Sequence, residues 1–120
     1  MNQEEMKRRT KQFALRVIRL VELLPRGRTA DVIGGQLIRS GTSVGANYRA
    51  ACRARSNADF ISKMGIVEEE ADESLYLMEL LIEAEIVESV KLESIMKEAN
   101  EILAMTVSSI KTARKRKSRK

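Results

Sequence analysis

Three groups of side chains in this sequence could do chemistry. The first is the carboxylate run Glu68, Glu69, Glu70, Asp72 and Glu73. Clustered carboxylates on a bundle helix can hold a pair of metal ions, but such sites usually complete their ligand set with histidine. The chain has no histidine. On a helix of 3.6 residues per turn, Glu68 and Glu70 flank the apolar stripe on opposite sides, and Glu69 and Glu73 point away from it. The carboxylates do not converge. The expectation is no metal, and ion pairs to the arginines Arg39, Arg49 and Arg53.

The second group is Arg39, Ser43 and Asn47, spaced i, i+4, i+8 beside an apolar seam. A nucleophilic serine needs an adjacent base. No histidine exists to supply one, and no lysine lies nearby. The row reads as a structural polar network, with Glu68 as its acidic member. The third group is basic: Lys7, Arg8, Arg9 and Lys11 near the start, and Lys111, Arg114, Lys115, Arg116, Lys117, Arg119 and Lys120 near the end. Such runs are the footprint of phosphate-backbone contact, driven by counterion release. A solubilising terminus is the other reading. The tail contains no aromatic residue on which bases could stack, so contact with RNA or DNA is expected to be largely sequence-nonspecific. Nothing here forms a catalytic or cofactor-binding set, and the protein reads as a non-enzyme.

Four glycines, Gly34, Gly35, Gly41 and Gly45, interrupt an otherwise helical segment. Each costs about 1 kcal/mol relative to alanine in a helix interior. A phosphate-cradling glycine loop would need a preceding strand, which the pattern lacks. Close helix approach compensates instead, with Gly34, Gly41 and Gly45 as the contact points. This makes the second helix the expected most-buried one.

The elements that position these groups follow from apolar periodicity. Helix 1 is expected from Gln3 to Leu24, capped by Asn2 with Glu5 as capping-box partner, and stopped by Pro25. Phe13, Val17 and Val21 form its core stripe. Leu15 and Ile18 lie on another face. Helix 2 is expected from Ala30 to Arg55, capped by Thr29, with Leu37, Gly41, Val44, Tyr48 and Cys52 as its seam. Helix 3 follows the cap Ser56 and runs to Glu85, with Phe60, Met64, Val67, Ala71, Leu75, Met78 and Ile82 inward. Tyr76 and Leu80 face outward. Ser89 caps helix 4, whose stripe is Leu92, Ile95, Met96, Ala99, Ile102, Leu103, Val107 and Ile110. Short connections make sequential helices run antiparallel. The expected fold is all-α, an up-down-up-down four-helix bundle over residues 1–112. Residues 113–120 are expected to form a basic, self-repelling, disordered tail.

At 120 residues the chain is the size of one domain, and 43% hydrophobic residues suffice for a core. Charge is unevenly spread. Residues 1–60 carry 12 Lys/Arg against 5 Asp/Glu, residues 61–100 carry 3 against 11, and residues 101–120 carry 7 against 1. Basic ends and an acidic middle can attract one another or serve different partners. Cys52 is the only cysteine, which suits a reducing compartment. The charged start lacks a signal-peptide core, and no apolar run reaches the roughly 20 residues that span a bilayer. A cytoplasmic protein without a membrane segment is expected.

Gln36-Leu37-Ile38-Arg39-Ser40-Gly41-Thr42-Ser43-Val44-Gly45-Ala46-Asn47, Asp59-Phe60, the stretch from Glu69 to Leu81 and Leu24-Pro25 together carry a resemblance. The sequence resembles the four-helix bundle proteins of the 23S ribosomal RNA intervening-sequence family over nearly its whole length. The resemblance implies an antiparallel bundle that assembles into a ring-like homopentamer. It also implies similarity to the accessory variability determinant of diversity-generating retroelements, which works with a reverse transcriptase and nucleic acid. It supplies no catalytic residues. The basic tail and the basic start of helix 1 make the leading expectation a homo-oligomeric scaffold for RNA or DNA, with Leu15, Ile18, Tyr76 and Leu80 in subunit contacts. The alternative is a protein–protein adaptor with a merely solubilising tail.

Overall fold

A computed structural model describes residues 2–118, with side chains described as far as residue 116. It is an all-α four-helix bundle, elongated at 53 × 21 × 20 Å. Helix α1 spans Gln3–Glu22, α2 Arg28–Cys52, α3 Asn57–Glu83 and α4 Ser89–Ser118.

The caps follow local chemistry. Asn2 Oδ1 accepts the Glu5 amide at 2.8 Å, and Ser56 Oγ accepts the Asp59 amide at 3.0 Å. Each satisfies an amide that the first turn leaves without a helical partner. Helix α2 starts before the expected Thr29 cap. Gly27, with φ of 158°, lets the chain enter the helix earlier. Helix α3 ends with Glu85 in the left-handed region (φ 60°), while the Ile86 and Val87 amides both donate to the Leu81 carbonyl. That closure stops α3 two residues short of the expected Glu85.

The expected boundary between bundle and tail at residues 112 and 113 does not coincide with a helix end. Helix α4 continues through Ser118. Ala113 is buried, and its carbonyl accepts from Asn57 Nδ2 at 2.8 Å. Arg and Lys are good helix formers, and cations at a helix C-terminus are favoured by its dipole, so repulsion does not break the helix there. Arg119 and Lys120 lie outside the described residues.

Helix α2 packs on α1 and α3, and α4 packs on α3 and, less closely, on α1. The pairs α1/α3 and α2/α4 occupy the diagonals. The core is built from Phe13, Val17, Leu37, Val44, Met64, Met78, Leu81, Leu92 and Ile102, all essentially without solvent access. Helix α3 buries a wider face than its expected stripe, adding Ser74, Leu77 and Leu81, because it is flanked by two close neighbours. Cys52, Phe60 and Ile82 are only half-buried.

The glycines set the α1/α2 contact. A Cβ on Gly34 would lie 2.9 Å from Val21 Cγ1, and one on Gly41 2.9 Å from both Val17 γ-carbons. One on Gly45 would lie 3.3 Å from the Thr10 carbonyl oxygen. As α2 advances from Gly34 to Gly45, its α1 partners run back from Val21 to Thr10. Gly35 meets nothing within 4 Å, so three of the four glycines serve the contact.

Buried hydroxyls are satisfied within the bundle. Thr10 and Thr106 donate to the carbonyls of Met6 and Ile102. The Ser40 and Ser74 hydroxyls meet at 2.9 Å across α2 and α3, and Ser74 also donates to the Glu70 carbonyl. No buried side-chain N or O among the described residues lacks a partner, which removes the cost of burying polar groups.

Candidate nucleic-acid interface

A groove of about 640 Å³ runs between α1 and α2. Five cationic side chains line it: Lys7, Arg8 and Lys11 from α1, and Arg49 and Arg53 from α2. Glu4 is its only carboxylate, and it binds Lys7 Nζ at 3.3 Å. Arg8, Lys11, Arg49 and Arg53 make no ion pair among the described residues. The floor is small: Ala14, Gly45 and Ala46. The glycine contact that draws α1 and α2 together thus also brings the two basic rows to one channel. Low walls lined by one sign of charge concentrate field and attract anions.

This geometry redistributes the expected roles. Arg49 and Arg53 do not pair with α3 carboxylates as expected. They follow Gly45 by four and eight residues, and a row that starts on the α1-facing glycine must face α1 too. The i, i+4, i+8 spacing is in the sequence, but only the packing shows that Gly45 faces α1. Arg39 alone reaches the acidic helix, through Glu70 Oε2 at 2.9 Å and through Glu73. The hydrogen bond to Glu73, then that to Glu70, raises the Arg39 pKa above the ordinary value. Ser43 Oγ donates to the Arg39 carbonyl and Asn47 Nδ2 to the Ser43 carbonyl. Both spend their donors on their own helix. Glu68 lies with Glu69 and Asp72 in a recess beside Leu103 and Val107, away from Arg39. The expected network of Arg39, Ser43, Asn47 and Glu68 therefore does not close. The carboxylate run is split between the side of α3 toward α2 and the side toward α4.

Arg9 faces away from the groove. Its Nη2 meets Glu98 Oε1 at 2.6 Å and Glu101 Oε1 at 2.9 Å, and its Nε donates to Glu98 Oε2 at 3.0 Å. The Glu98 hydrogen bond is the chief cause of its raised pKa. These ion pairs clamp α1 to α4, the least closely approaching of the packed pairs. Arg16 adds a bond to Ser94 Oγ at 2.8 Å. Arg9 was expected to contact nucleic acid, but two carboxylates already occupy its guanidinium. Arg9→Gln should cost about 1 kcal/mol of stability, as part of a half-screened network. It should change nucleic-acid affinity less than twofold. A chemical-denaturation series beside a binding titration checks both halves; a large affinity loss at unchanged stability would return Arg9 to the interface.

Of the basic residues expected near the end of the chain, Lys111, Arg114, Lys115 and Arg116 are exposed on the last turns of α4. A recess at this end is lined by Gln3, Tyr48, Asn57, Phe60 and Thr112, among others, and by Arg116. It joins the starts of α1 and α3 to the late turns of α2 and α4. Tyr48 is buried, which pushes its hydroxyl pKa up, and the neighbouring Cys52 adds to the rise. Of the residues expected in subunit contacts, Tyr76 is 57% and Leu15 37% exposed, while Ile18 and Leu80 are half-buried. No helix among the described residues is long and apolar enough to cross a membrane.

The structure is similar to a crystal structure from Bacteroides thetaiotaomicron, described as a protein with unknown function from the S23 ribosomal protein family. The two share 40% identity and a TM-score of 0.86, over 92% of this chain and 99% of that one. No curated protein matches the chain. The sequence pattern of one family matches residues 2–108, through α1, α2, α3 and most of α4. The chain belongs to the 23S rRNA-intervening sequence protein family.

Proposed function

We propose that the protein is a non-enzymatic, homo-oligomeric scaffold that binds RNA or DNA through its basic groove and basic end, largely without regard to base sequence. The observation that carries this reading is the α1/α2 groove, where five cations face one another with a single carboxylate among them. An antiparallel up-down-up-down course supports it. The contacts of α1 with α2 run in opposite residue order, and the short connections favour the same for every neighbouring pair. That course gathers Lys7, Arg8 and Lys11, Arg49 and Arg53, and Lys111 to Arg116 toward one end, leaving most of the acidic middle toward the other. The family name and the resemblance favour RNA as the anion, and a five-membered ring as the assembly. In a ring each subunit adds a groove, so modest contacts gain avidity. Leu15 and Tyr76, exposed apolar side chains away from the core, suit the subunit contacts.

The protein-adaptor reading keeps one specific observation in its favour. Leu23, Val32 and Val90 are 84%, 56% and 62% exposed, on the closing turn of α1 and the opening turns of α2 and α4. A protein partner could cover them. One experiment separates the two readings. Binding of a structured RNA and of duplex DNA is measured for the wild type, for Arg49→Ser/Arg53→Ser, and for the control Arg26→Ser/Arg28→Ser. Affinity should fall on the order of tenfold or more for the groove variant and little for the control. Sedimentation of the same samples reports the assembly. Equal behaviour of all three proteins would favour the adaptor; a stable monomer at micromolar concentration would remove the ring.

A further inference from the structure

The recess at the basic end, about 350 Å³ in volume, holds a combination that no stretch of the sequence contains. Tyr48 of α2 and Phe60 of α3 both line it. They are two of only four aromatic residues in the chain. Around them stand Gln3, Ser109 and Thr112, which carry amide and hydroxyl groups, and Arg116. We propose that this recess takes an unpaired nucleobase of a single-stranded RNA or DNA whose backbone lies in the adjoining basic groove. The proposal rests on the nucleic-acid reading above and adds to it a preference for unpaired strands.

Four observations support it. The volume lies within the range of small-ligand pockets, about 300–1,000 Å³. The wall is mixed as a base requires: aromatic surface for its face, and donors and acceptors for its edge. Phe60 is half-buried, so part of its ring remains available, while Tyr48, at 6% exposure, is fixed wall. The recess is also held in shape before any ligand arrives, because Asn57 ties α3 to the Ala113 carbonyl of α4 at 2.8 Å. Preorganisation of this kind reduces the ordering cost of binding.

Position gives the last link. Gln3 precedes the groove residue Glu4, and Tyr48 precedes the groove residue Arg49. The groove and the recess thus lie at the same end of α1 and α2, and the proposed strand runs from phosphates on Arg49 and Lys7 to a base in the recess. Arg116 can hold a flanking phosphate or stack on the base. A duplex turns its bases inward and can use only the groove. The aromatic residues missing from the tail are thus supplied by other helices that the fold brings beside it.

The test uses full-length protein and four probes: oligouridylate, oligothymidylate, a duplex of equal length, and inorganic polyphosphate. The wild type should favour both single strands over the duplex at equal salt. Phe60→Leu keeps apolar bulk and removes the ring. It should weaken single-strand binding about 5- to 10-fold and leave duplex and polyphosphate binding unchanged. Phe60→Tyr should restore single-strand affinity. Ultraviolet cross-linking of the bound oligouridylate should map to the segment around Phe60. Unequal loss on RNA and DNA would show which sugar the site prefers, within the same proposal. If duplex and polyphosphate bind while Phe60→Leu has no effect on single strands, or weakens all probes alike, the base site falls and the groove reading stands. If no probe binds the wild type, both fall together.

Discussion

Gly41→Leu should destabilise the bundle by at least about 2 kcal/mol, at the upper end of overpacking costs. A Cβ alone at this position would sit 2.9 Å from both γ-carbons of Val17 and 3.1 Å from its Cβ. Val17 is fully buried on α1 and cannot swing into solvent. The helices must part, or Val17 must leave its rotamer. Gly35→Ala is the internal contrast. Its Cβ would meet nothing within 4 Å, and the position is helical. Alanine there should stabilise by about 0.5–1 kcal/mol, because it removes the conformational freedom that glycine has in the unfolded chain. Two glycines in one helix therefore carry opposite expected signs. Denaturant titration of both variants gives the signs. Gly41→Leu in a Val17→Ala background tests the cause, since contacting sites should be non-additive. An equal cost in both backgrounds would place the strain somewhere other than Val17.

The same pair shows what the sequence could and could not disclose. The seam Leu37, Gly41, Val44, Tyr48 was legible because burial on a helix repeats every three or four residues. The caps Asn2 and Ser56 were legible because their chemistry is local. What periodicity does not give is the identity of the neighbour. Arg39 and Arg49 look alike in sequence, yet one meets α3 and the other faces α1. The difference is their angle relative to the small residues that touch α1. In the sequence Arg9 reads as free for a ligand, because Glu98 and Glu101 are about ninety positions away. The apolar pattern does not mark Thr10 and Thr106 as core, yet a hydroxyl that donates to its own helix loses most of its polarity cost. The recess at Tyr48 and Phe60 is a property of four helices at once.

The steepest functional effect should appear in the salt dependence of binding. If each of the five groove cations neutralises one phosphate of a duplex, the slope of log affinity against log salt is about −4.5 per occupied groove. Raising salt from about 50 to 200 mM should then lower affinity roughly 500-fold. Arg49→Ser/Arg53→Ser should reduce the slope to about −2.7, two contacts fewer. The α4 end is judged on the same scale. Deleting residues 113–120 is a poor probe, since it removes the buried Ala113 and the carbonyl that Asn57 holds. Lys115→Ser/Arg116→Ser leaves that contact in place, and both side chains are exposed. A further drop of about two contacts' worth of slope on duplex would make the end of α4 part of the phosphate-binding surface. An unchanged slope would leave those cations a solubilising role and confine duplex binding to the groove. A slope near zero for the wild type would remove phosphate neutralisation as the driving force and, with it, the nucleic-acid function. Because the slope counts displaced ions and is insensitive to which bases are present, it tests the charge argument separately from the base recess.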